Sequence, residues 1–203
     1  GVCGVCWAAP GAARVRACVL LLAVGLLAGG PAAATPLKAM YDQAGPAGGY
    51  ERYIVLQAGV TYTGGLWLGA TYNPITGLFE GGDETVRIVG SRALLALRGA
   101  EICIAYCNGR LDLDDCVILN GNVRFRGYDG GGQYLMPRGS VRYVTFYKPL
   151  DYGVRLFHCG ADIVVERNLV VDVIDTGPDF QYLTGMPSDW LPTGTSFTLS
   201  LAF

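Results

Sequence analysis

Short stretches of alternating apolar and polar residues recur along the chain from Tyr53 to about residue 175. Each stretch is about four to eight residues long, rich in Val, Ile, Leu and aromatic residues, and bounded by Gly, Asn, Asp or Pro, which is typical of β-strands. The clearest examples read YIVLQAG, GLWLG, TVRIVG, ALLALRG, EICIAYC, NVRFRG, VRYVTFY and DIVVERNLVVDV. Because no stretch after Ala44 repeats its apolar residues with a helical period, the sequence predicts an all-β domain.

Residues 36–44 are the one good candidate for a helix ahead of these strands. Leu37, Met40 and Tyr41 fall at helical spacing, and Gly45-Pro46 ends the pattern. The sequence therefore predicts a single short helix followed by strands.

The spacing of the strands distinguishes between all-β architectures. Apolar strand centres recur with three steps close to twenty positions and one longer step, at Trp67, Ile88, Val123, Val144 and Val164. A recurrence of this length is what the coils of a solenoid produce, since one coil is too small to bury its own apolar face. The hairpin dipeptide Asn-Gly, at 108–109 and 120–121, leaves an antiparallel sandwich open as the alternative.

Residues 54–64 (IVLQAGVTYTG) resemble the opening coil of the pectin-lyase-like superfamily. In that superfamily a short capping helix leads into a strand and then through a glycine turn to the next strand, and residues 37–44 would be that cap. Residues 85–90 and 162–175 resemble later coils, with Asn168 at a bend between strands. The resemblance implies a right-handed parallel β-helix solenoid with a short N-terminal capping helix.

Residues 1–34 have the features of a secretory signal peptide. Two arginines precede an apolar run at 17–27, and three alanines ending at Ala34 supply the small residues that cleavage requires. The run of about eleven residues is shorter than the roughly 20 needed to cross a bilayer as a helix, although an uncleaved membrane anchor stays open as the alternative. We expect a secreted, periplasmic or extracellular protein whose β-helix domain covers 35–203 and, for want of a C-terminal cap, continues beyond Phe203.

Composition and motifs exclude several classes of protein. Hydrophobic residues make up 51% of the chain and charged residues 16%, which excludes a disordered tail. The formal net charge of −2 lacks the basic footprint of a nucleic-acid-binding protein. The sequence contains no Walker loop, dinucleotide fingerprint, nucleophile elbow or zinc-protease motif. The signatures of β-helix polygalacturonases are also incomplete.

Cysteines are present beyond the predicted signal peptide, at Cys103, Cys107, Cys116 and Cys159. An exported protein can oxidise such residues into disulfides. We favour the other interpretation, in which they are small buried apolar side chains, because free cysteine is often buried.

Asp112, Asp114 and Asp115 form the first group of candidate functional residues. If Leu111 and Leu113 point inward on a strand, the carboxylates of Asp112 and Asp114 point outward on one face, roughly 7 Å apart. Such a pair could serve as acid and base in glycoside hydrolysis, hold Ca²⁺, or simply belong to a solvated outer face.

Asp172, Asp175 and Asp179 form a second acidic group at the end of a strand, next to a long loop. Loops on a rigid scaffold often carry function. Asp172 and Asp175 are therefore predicted as catalytic residues, and all three aspartates as ligands of Ca²⁺, the one cofactor that the sequence suggests. The alternative is that they cap turns around Gly177-Pro178.

The third group is basic and comprises Lys148, Arg155, His158 and Arg167. Polysaccharide lyases abstract a proton next to a uronate carboxylate and need a base and a stabilising cation. Lys148 and Arg167 are separated in sequence by close to one predicted coil, which would stack them on one face. The pair resembles the Lys/Arg pair of alginate- and chondroitin-type lyases, and the resemblance implies catalytic roles. Arg155 and His158 are predicted to bind substrate, although a histidine in an apolar run can equally be structural.

Aromatic residues near the C-terminus, including Tyr182 and Trp190, would complete a surface suited to sugar rings. Together these features predict an exported carbohydrate-active protein, a lyase, epimerase or hydrolase, with uronate-containing polysaccharide as its substrate. We expect a monomer that binds neither nucleic acid nor, after signal cleavage, membrane. The alternative, favoured by the incomplete catalytic signature, is a non-catalytic cell-surface or adhesion module.

Overall fold

The computed structural model describes residues 34–149, 152–160 and 162–172, together with the backbone of a strand at Ser196–Leu201. Its one described helix, α1, spans Leu37–Gln43. The strands are β1 Thr35–Pro36, β2 Arg52–Val55, β3 Thr61–Thr63, β4 Leu66–Gly69, β5 Thr71–Asn73, β6 Leu78–Glu80, β7 Thr85–Ala96, β8 Glu101–Ala105, β9 Arg110–Leu119, β10 Asn122–Arg126, β11 Tyr128–Gly130, β12 Gln133–Leu135, β13 Arg138–Arg142, β14 Thr145–Tyr147, β15 Val154–Phe157, β16 Ile163–Val171 and β17 Ser196–Leu201. The prediction of an all-β domain is confirmed, and so is the short helix, which buries Leu37.

Most of the strands pair in parallel, in three ladders. Ladder 1 contains β2, the first half of β7, the first half of β9, β13 and the start of β16. Ladder 2 contains β1, β3, the second halves of β7 and β9, β14 and the end of β16. Ladder 3 contains β4, β8, β10 and β15. From β2 onward the chain visits ladders 1, 2 and 3 in the same order on each turn.

The core consists of apolar side chains that stack from one turn to the next. In ladder 1 the paired residues are Ile54, Ile88, Leu113, Val141 and Val165, and each of them is buried. Ladders 2 and 3 contribute equivalent stacks that include Phe146 and Phe125, both fully buried. Alternation of apolar and polar residues along each strand turns one set of side chains inward and the other outward.

Residues in the left-handed conformation make the bends between ladders 1 and 2, two of them in β7 (Ser91 and Arg92) and one on each later turn. Asp115, Tyr143 and Arg167 have φ of 54°, 55° and 56° on successive turns. Asn168 is buried beside the last of these bends, as the sequence predicts. Its side-chain amide donates to Val141 O, and its Oδ1 accepts from Val144 N, each at 2.9 Å. The hydrogen bonds tie two successive turns together at their corner.

Two antiparallel hairpins are inserted where the chain leaves ladder 3. The β5–β6 hairpin follows β4, and the β11–β12 hairpin follows β10. They contact each other through Phe79 and Gln133, whose backbone and side-chain amide exchange two hydrogen bonds of 2.8 Å. The Asn-Gly dipeptides at 108–109 and 120–121 instead lie between strands of different ladders, so they make no hairpin.

The repeat is longer than the spacing of about twenty that the sequence suggests. Tyr143 and Arg167, at equivalent bends of successive turns, lie 24 residues apart. Asp112 and Ser140, which are paired in ladder 1, lie 28 residues apart. The strand centres used for the prediction belong to different ladders, since Trp67 lies in ladder 3 and Ile88 in ladder 1. The inserted hairpins lengthen two of the turns further.

Candidate functional site

Lys148 and Asp172, two of the predicted catalytic residues, meet at the end of ladder 2. Lys148 N donates to Val171 O at 2.9 Å, and Lys148 Nζ lies 3.4 Å from Asp172 Oδ2. The two side chains are 44% and 59% exposed, so this ion pair is a solvated contact between successive turns. An exposed pair of this kind contributes little to stability.

Arg167 lies at the other end of the ladder 2 strand, at the bend inside β16. Its Nη1 donates to the hydroxyl of Tyr143, the equivalent residue of the preceding turn. The structure therefore does not bring Lys148 and Arg167 together. Their separation in sequence is shorter than the true repeat, which is the interval of 24 residues between Tyr143 and Arg167.

The predicted Ca²⁺ ligands are only partly described. Asp172 contacts Lys148, whereas Asp175 and Asp179 lie outside the described residues, as do Tyr182 and Trp190. Across residues 34–149, 152–160 and 162–172, no three His, Cys, Asp or Glu side chains are grouped closely enough to hold a metal ion. The roles predicted for these aspartates and aromatic residues stay predictions.

Asp112 points outward from ladder 1 but is buried, because the segment before β2 covers it. Its carboxylate accepts hydrogen bonds from Tyr50 Oη at 2.7 Å, Arg110 Nε at 2.5 Å and Ser140 Oγ at 2.6 Å. Burial alone would raise the pKa of Asp112, but these three donors outweigh it and hold the pKa below its ordinary value. The carboxylate thus accepts hydrogen bonds from two strands, β9 and β13, and from the covering segment, and it joins the three.

Asp114, two residues further along the same face, has the opposite tendency. Its Oδ2 lies 2.7 Å from Arg87 Nη2. Burial raises the pKa of Asp114, and the attraction of Arg87 does not offset that effect and the repulsion from Asp112. Two neighbouring carboxylates with pKa values shifted in opposite directions can mark a catalytic pair, but here Asp112 is fully occupied by protein donors.

The outer surface of ladder 3 carries a strip of arginines that the sequence analysis found only in part. We define the arginine strip as Arg124, Arg126 and Arg155 with Glu101 and Trp67. In β10 the inward residues Val123 and Phe125 are fully buried, which turns Arg124 and Arg126 outward. Pairing then aligns Trp67, Cys103, Arg124 and Arg155 in one row across four strands.

Glu101 is the carboxylate of the arginine strip, and its two oxygens have different partners. Its Oε2 lies 2.6 Å from Arg124 Nη2, and its Oε1 accepts from Tyr152 Oη at 2.9 Å. The guanidinium carbon of Arg155 lies 5.3 Å from the centre of the Tyr152 ring. Burial is the main cause of the raised pKa of Tyr152, which therefore stays a hydrogen-bond donor. Among the residues that define the strip, all of them in the described part of the chain, three guanidinium groups thus accompany one carboxylate.

An aromatic wall borders the arginine strip on the side of the inserted hairpins. The guanidinium of Arg126 lies 5.0 Å from the ring centre of Tyr106 and 5.4 Å from that of Phe157. Phe79 stacks on Tyr106 with ring centres 4.4 Å apart, and His158 stacks on Phe157 at the same distance. Trp67, at the far end of the strip, is 53% exposed. Sugar rings bind to surfaces that combine such aromatic faces with hydrogen-bonding groups.

Two of the predicted substrate-binding residues, Arg155 and His158, lie at this surface. Trp67, Glu101 and Arg124 were missed, although the alternation in GLWLG, EICIA and NVRFR indicates that all three point outward. Only strand pairing shows that Trp67 and Arg124 share one row with Arg155.

The described cysteines are free thiols. Cys103, Cys107 and Cys116 are buried and Cys159 is half-buried. Burial raises the pKa of Cys107 and of Cys159 to about 11, so these thiols are protonated and unreactive at neutral pH. They pack as small apolar side chains in the part of the chain that the structure describes.

Comparison with known proteins found no matching family model, no matching curated protein and no matching solved structure. Among the helical residues that the structure describes, none belongs to a helix long and apolar enough to span a membrane.

Proposed function

We propose that residues 35–203 belong to a right-handed parallel β-helix of the pectin-lyase-like type. The constant order in which the chain visits ladders 1, 2 and 3 supports this fold, because each strand then pairs with a strand of the next turn. The bends at Asp115, Tyr143 and Arg167 add support. Each has a residue with positive φ at the same place in its turn, and a solenoid repeats its corners from one turn to the next.

The function that the geometry supports best is recognition of uronate-containing glycans by an exported protein. The observation that carries this proposal is the alignment of Arg124 and Arg155 on adjacent strands, in one row with the exposed Trp67. Adjacent strands lie about 4.8 Å apart. A glycan lying across them can therefore present successive carboxylates to successive guanidinium groups, while Trp67 packs against a sugar ring.

Cleavage by β-elimination is the enzymatic form of this proposal. A base removes the proton next to the uronate carboxylate, a guanidinium stabilises the resulting enediolate, and the C4–O bond then breaks to leave a C4=C5 double bond. The departing oxygen takes up a proton. Glu101 is the carboxylate of the arginine strip and thus its candidate base, with Arg124 beside it as the stabilising cation.

A non-catalytic binding module is the second candidate, and a specific observation favours it. Both oxygens of Glu101 are engaged, one by Arg124 and the other by the Tyr152 hydroxyl. With both oxygens occupied by protein donors, the carboxylate is poorly placed to reach a proton of a bound sugar. In this case the arginine strip would hold an acidic glycan without cleaving it.

Binding and absorbance measurements on the same samples test both forms. The protein is titrated with polygalacturonate, alginate and chondroitin, with a neutral glucan as the control ligand, and ultraviolet absorbance reports unsaturated ends. We expect the acidic glycans to bind and the neutral glucan to bind at least tenfold more weakly. Arg124→Ala and Arg155→Ala should each weaken binding about tenfold, as expected for a lost charged hydrogen bond.

Arg142→Ala is the matched control, because Arg142 is an outward arginine of ladder 1 that pairs with Glu166. It should leave glycan binding unchanged. Equal losses in Arg142→Ala and Arg124→Ala, or equal binding of the neutral glucan, would contradict the proposed site. Absorbance that disappears in Glu101→Gln supports the lyase, whereas binding without absorbance supports the module.

The same absorbance measurement tests the residues that the sequence analysis singled out. A lyase that loses activity in Lys148→Ala or Arg167→Ala, but not in Glu101→Gln, would move the catalytic site to the corners of ladder 2.

Chelation tests the prediction that Asp172, Asp175 and Asp179 hold Ca²⁺. Loss of glycan binding on chelation, restored by added Ca²⁺, would support that prediction.

A further inference from the structure

A cavity of about 360 Å³ lies at the corner between ladders 3 and 1, and none of its lining residues belongs to the arginine strip. It is lined by Asn108, Tyr134, Met136, Arg138, Gly160 and Asp162. Asn108 follows β8, Met136 follows β12 and Gly160 follows β15, so three successive turns build the cavity at the same corner. Its volume is within the range of sites for small ligands, roughly 300–1,000 Å³.

Three hydrogen bonds fix the position of Asn108, which lines this cavity. Asn108 N donates to Asp83 Oδ1 at 2.7 Å, and Asn108 Oδ1 accepts from Met136 N at 3.1 Å. Asn108 O accepts from Arg138 Nη2, also at 3.1 Å. Since one residue connects three segments of the chain, the position of the Arg138 guanidinium is set before any ligand arrives.

Both signs of charge line the cavity without neutralising each other. Arg138 and Asp162 both line the cavity and both are exposed, and no ion pair joins these two described residues. The guanidinium can therefore donate to an anionic ligand group, and the carboxylate can accept from ligand hydroxyls.

Tyr134 forms an exposed aromatic edge of the same cavity. It lies in β12 and is 67% exposed, whereas its neighbour Gln133 is fixed to Phe79 of the other hairpin by two hydrogen bonds. The ring is thus carried by a fixed hairpin while its surface stays open to a ligand. An aromatic face, a cation and a carboxylate around a small cavity match the apolar face, the carboxylate and the hydroxyls of a uronic acid.

We propose that this cavity binds a single hexuronate residue, with its carboxylate on Arg138, its hydroxyls on Asp162 and its ring against Tyr134. The ligand class rests on the proposed function, but the site is a second one, separate from the arginine strip. A monosaccharide is too short to span the row from Trp67 to Arg155, so it distinguishes the two sites.

Calorimetric or NMR titration with glucuronate tests the proposal, with glucose as the ligand that lacks the carboxylate. We expect glucuronate to bind at least tenfold more tightly than glucose. Arg138→Ala and Tyr134→Ala should each weaken glucuronate binding about tenfold or more, since each removes one of the ligand's main contacts. Tyr134→Phe keeps the ring and should bind nearly as well as the unchanged protein.

Arg124→Ala separates this proposal from the proposed function. It should weaken binding of the polymeric glycan and leave glucuronate binding unchanged. The cavity proposal is overturned if glucuronate fails to bind, if glucose binds equally well, or if Arg124→Ala weakens glucuronate binding as much as Arg138→Ala. In each of these cases polymer binding to the arginine strip could still be observed, so the two proposals fail independently. Circular dichroism of each variant verifies that it has folded.

Discussion

The outer surfaces of ladder 1 and ladder 3 use the same residue types, arginines and carboxylates at alternate strand positions, but combine them differently. On ladder 1 each of three arginines has a carboxylate partner: Arg87 with Asp114 at 2.7 Å, Arg110 with Asp112 at 2.5 Å, and Arg142 with Glu166 at 3.1 Å. On ladder 3, Arg124 pairs with Glu101, whereas the guanidinium of Arg126 lies against the rings of Tyr106 and Phe157. These three arginines of the first surface are matched by carboxylates, whereas the second surface combines its charge with aromatic faces that suit a ligand.

Covering by other parts of the chain also differs between the two surfaces. On ladder 1, Tyr50 lies over the sheet, with its hydroxyl on Asp112 and the Arg87 guanidinium 5.7 Å from its ring centre. On ladder 3, Trp67 is exposed in the row that contains Arg124. The comparison shows that an outward position on a strand does not by itself make a residue available to a ligand. Ion pairing between outward side chains, and covering by other segments of the chain, decide whether a surface stabilises the fold or can contact a ligand.

The largest effect that this comparison predicts is the loss of stability in Asp112→Ala. The substitution removes the acceptor of four hydrogen bonds, one from Tyr50, one from Ser140 and two from Arg110, and leaves the buried Ser140 hydroxyl without its acceptor. We expect the free energy of unfolding at neutral pH to fall by about 3 kcal/mol. Urea denaturation measures the change.

Glu101→Ala is the control on ladder 3. The substitution also removes the acceptor of two groups, Arg124 and Tyr152. The Glu101 side chain is 24% exposed, however, so water can replace part of these interactions. We expect a loss of about 1 kcal/mol. Equal losses in the two variants would show that the carboxylate of ladder 3 is as structural as that of ladder 1.

The fold was predictable from sequence as far as local patterns determine it. Alternation in TVRIVG and NVRFRG identifies strands and their inward residues, and residues 37–43 form the expected helix. Register was not predictable, because it depends on which apolar side chains stack between turns and on the length of the inserted hairpins. An assumed repeat near twenty therefore placed Lys148 and Arg167 on one face, although they lie at opposite ends of ladder 2 strands.

The candidate site was predictable to a smaller extent for the same reason. Arg155 and His158 were identified from their residue types, but the row that joins Arg155 to Trp67 exists only after four strands have paired. The burial of Asp112 likewise depends on Tyr50, which lies 62 residues earlier in the chain. Contacts between residues so far apart leave no local pattern in the sequence.

A smaller effect is expected in the dependence of stability on pH. Because its folded-state pKa is lowered, ionised Asp112 stabilises the fold above its ordinary pKa of 3.8, and this contribution is lost as the pH falls through the folded-state value. The difference in stability between the unchanged protein and Asp112→Asn should therefore shrink as the pH is lowered below 3.8. Urea denaturation at a series of pH values measures it, and a difference that stays constant would contradict the assigned pKa direction.

The smallest effect, and one of opposite sign, is expected for Asp114→Asn. The pKa of Asp114 is raised, chiefly by burial, so its ionised form is less favourable in the folded protein than in the unfolded chain. The resulting cost appears as the pH rises through the ordinary value of 3.8 and is complete above the folded-state pKa. The neutral amide avoids this cost while keeping the size of the side chain, so at neutral pH Asp114→Asn should be as stable as the unchanged protein, or more stable by up to about 1 kcal/mol.

Asp112→Asn makes the same substitution two residues earlier, on the same face of the strand. It should be less stable than the unchanged protein under the same conditions. Urea denaturation of both variants at neutral pH makes the test, and a loss in Asp114→Asn as large as that in Asp112→Asn would mean that the Arg87–Asp114 pair stabilises ladder 1 as strongly as the buried Asp112 does.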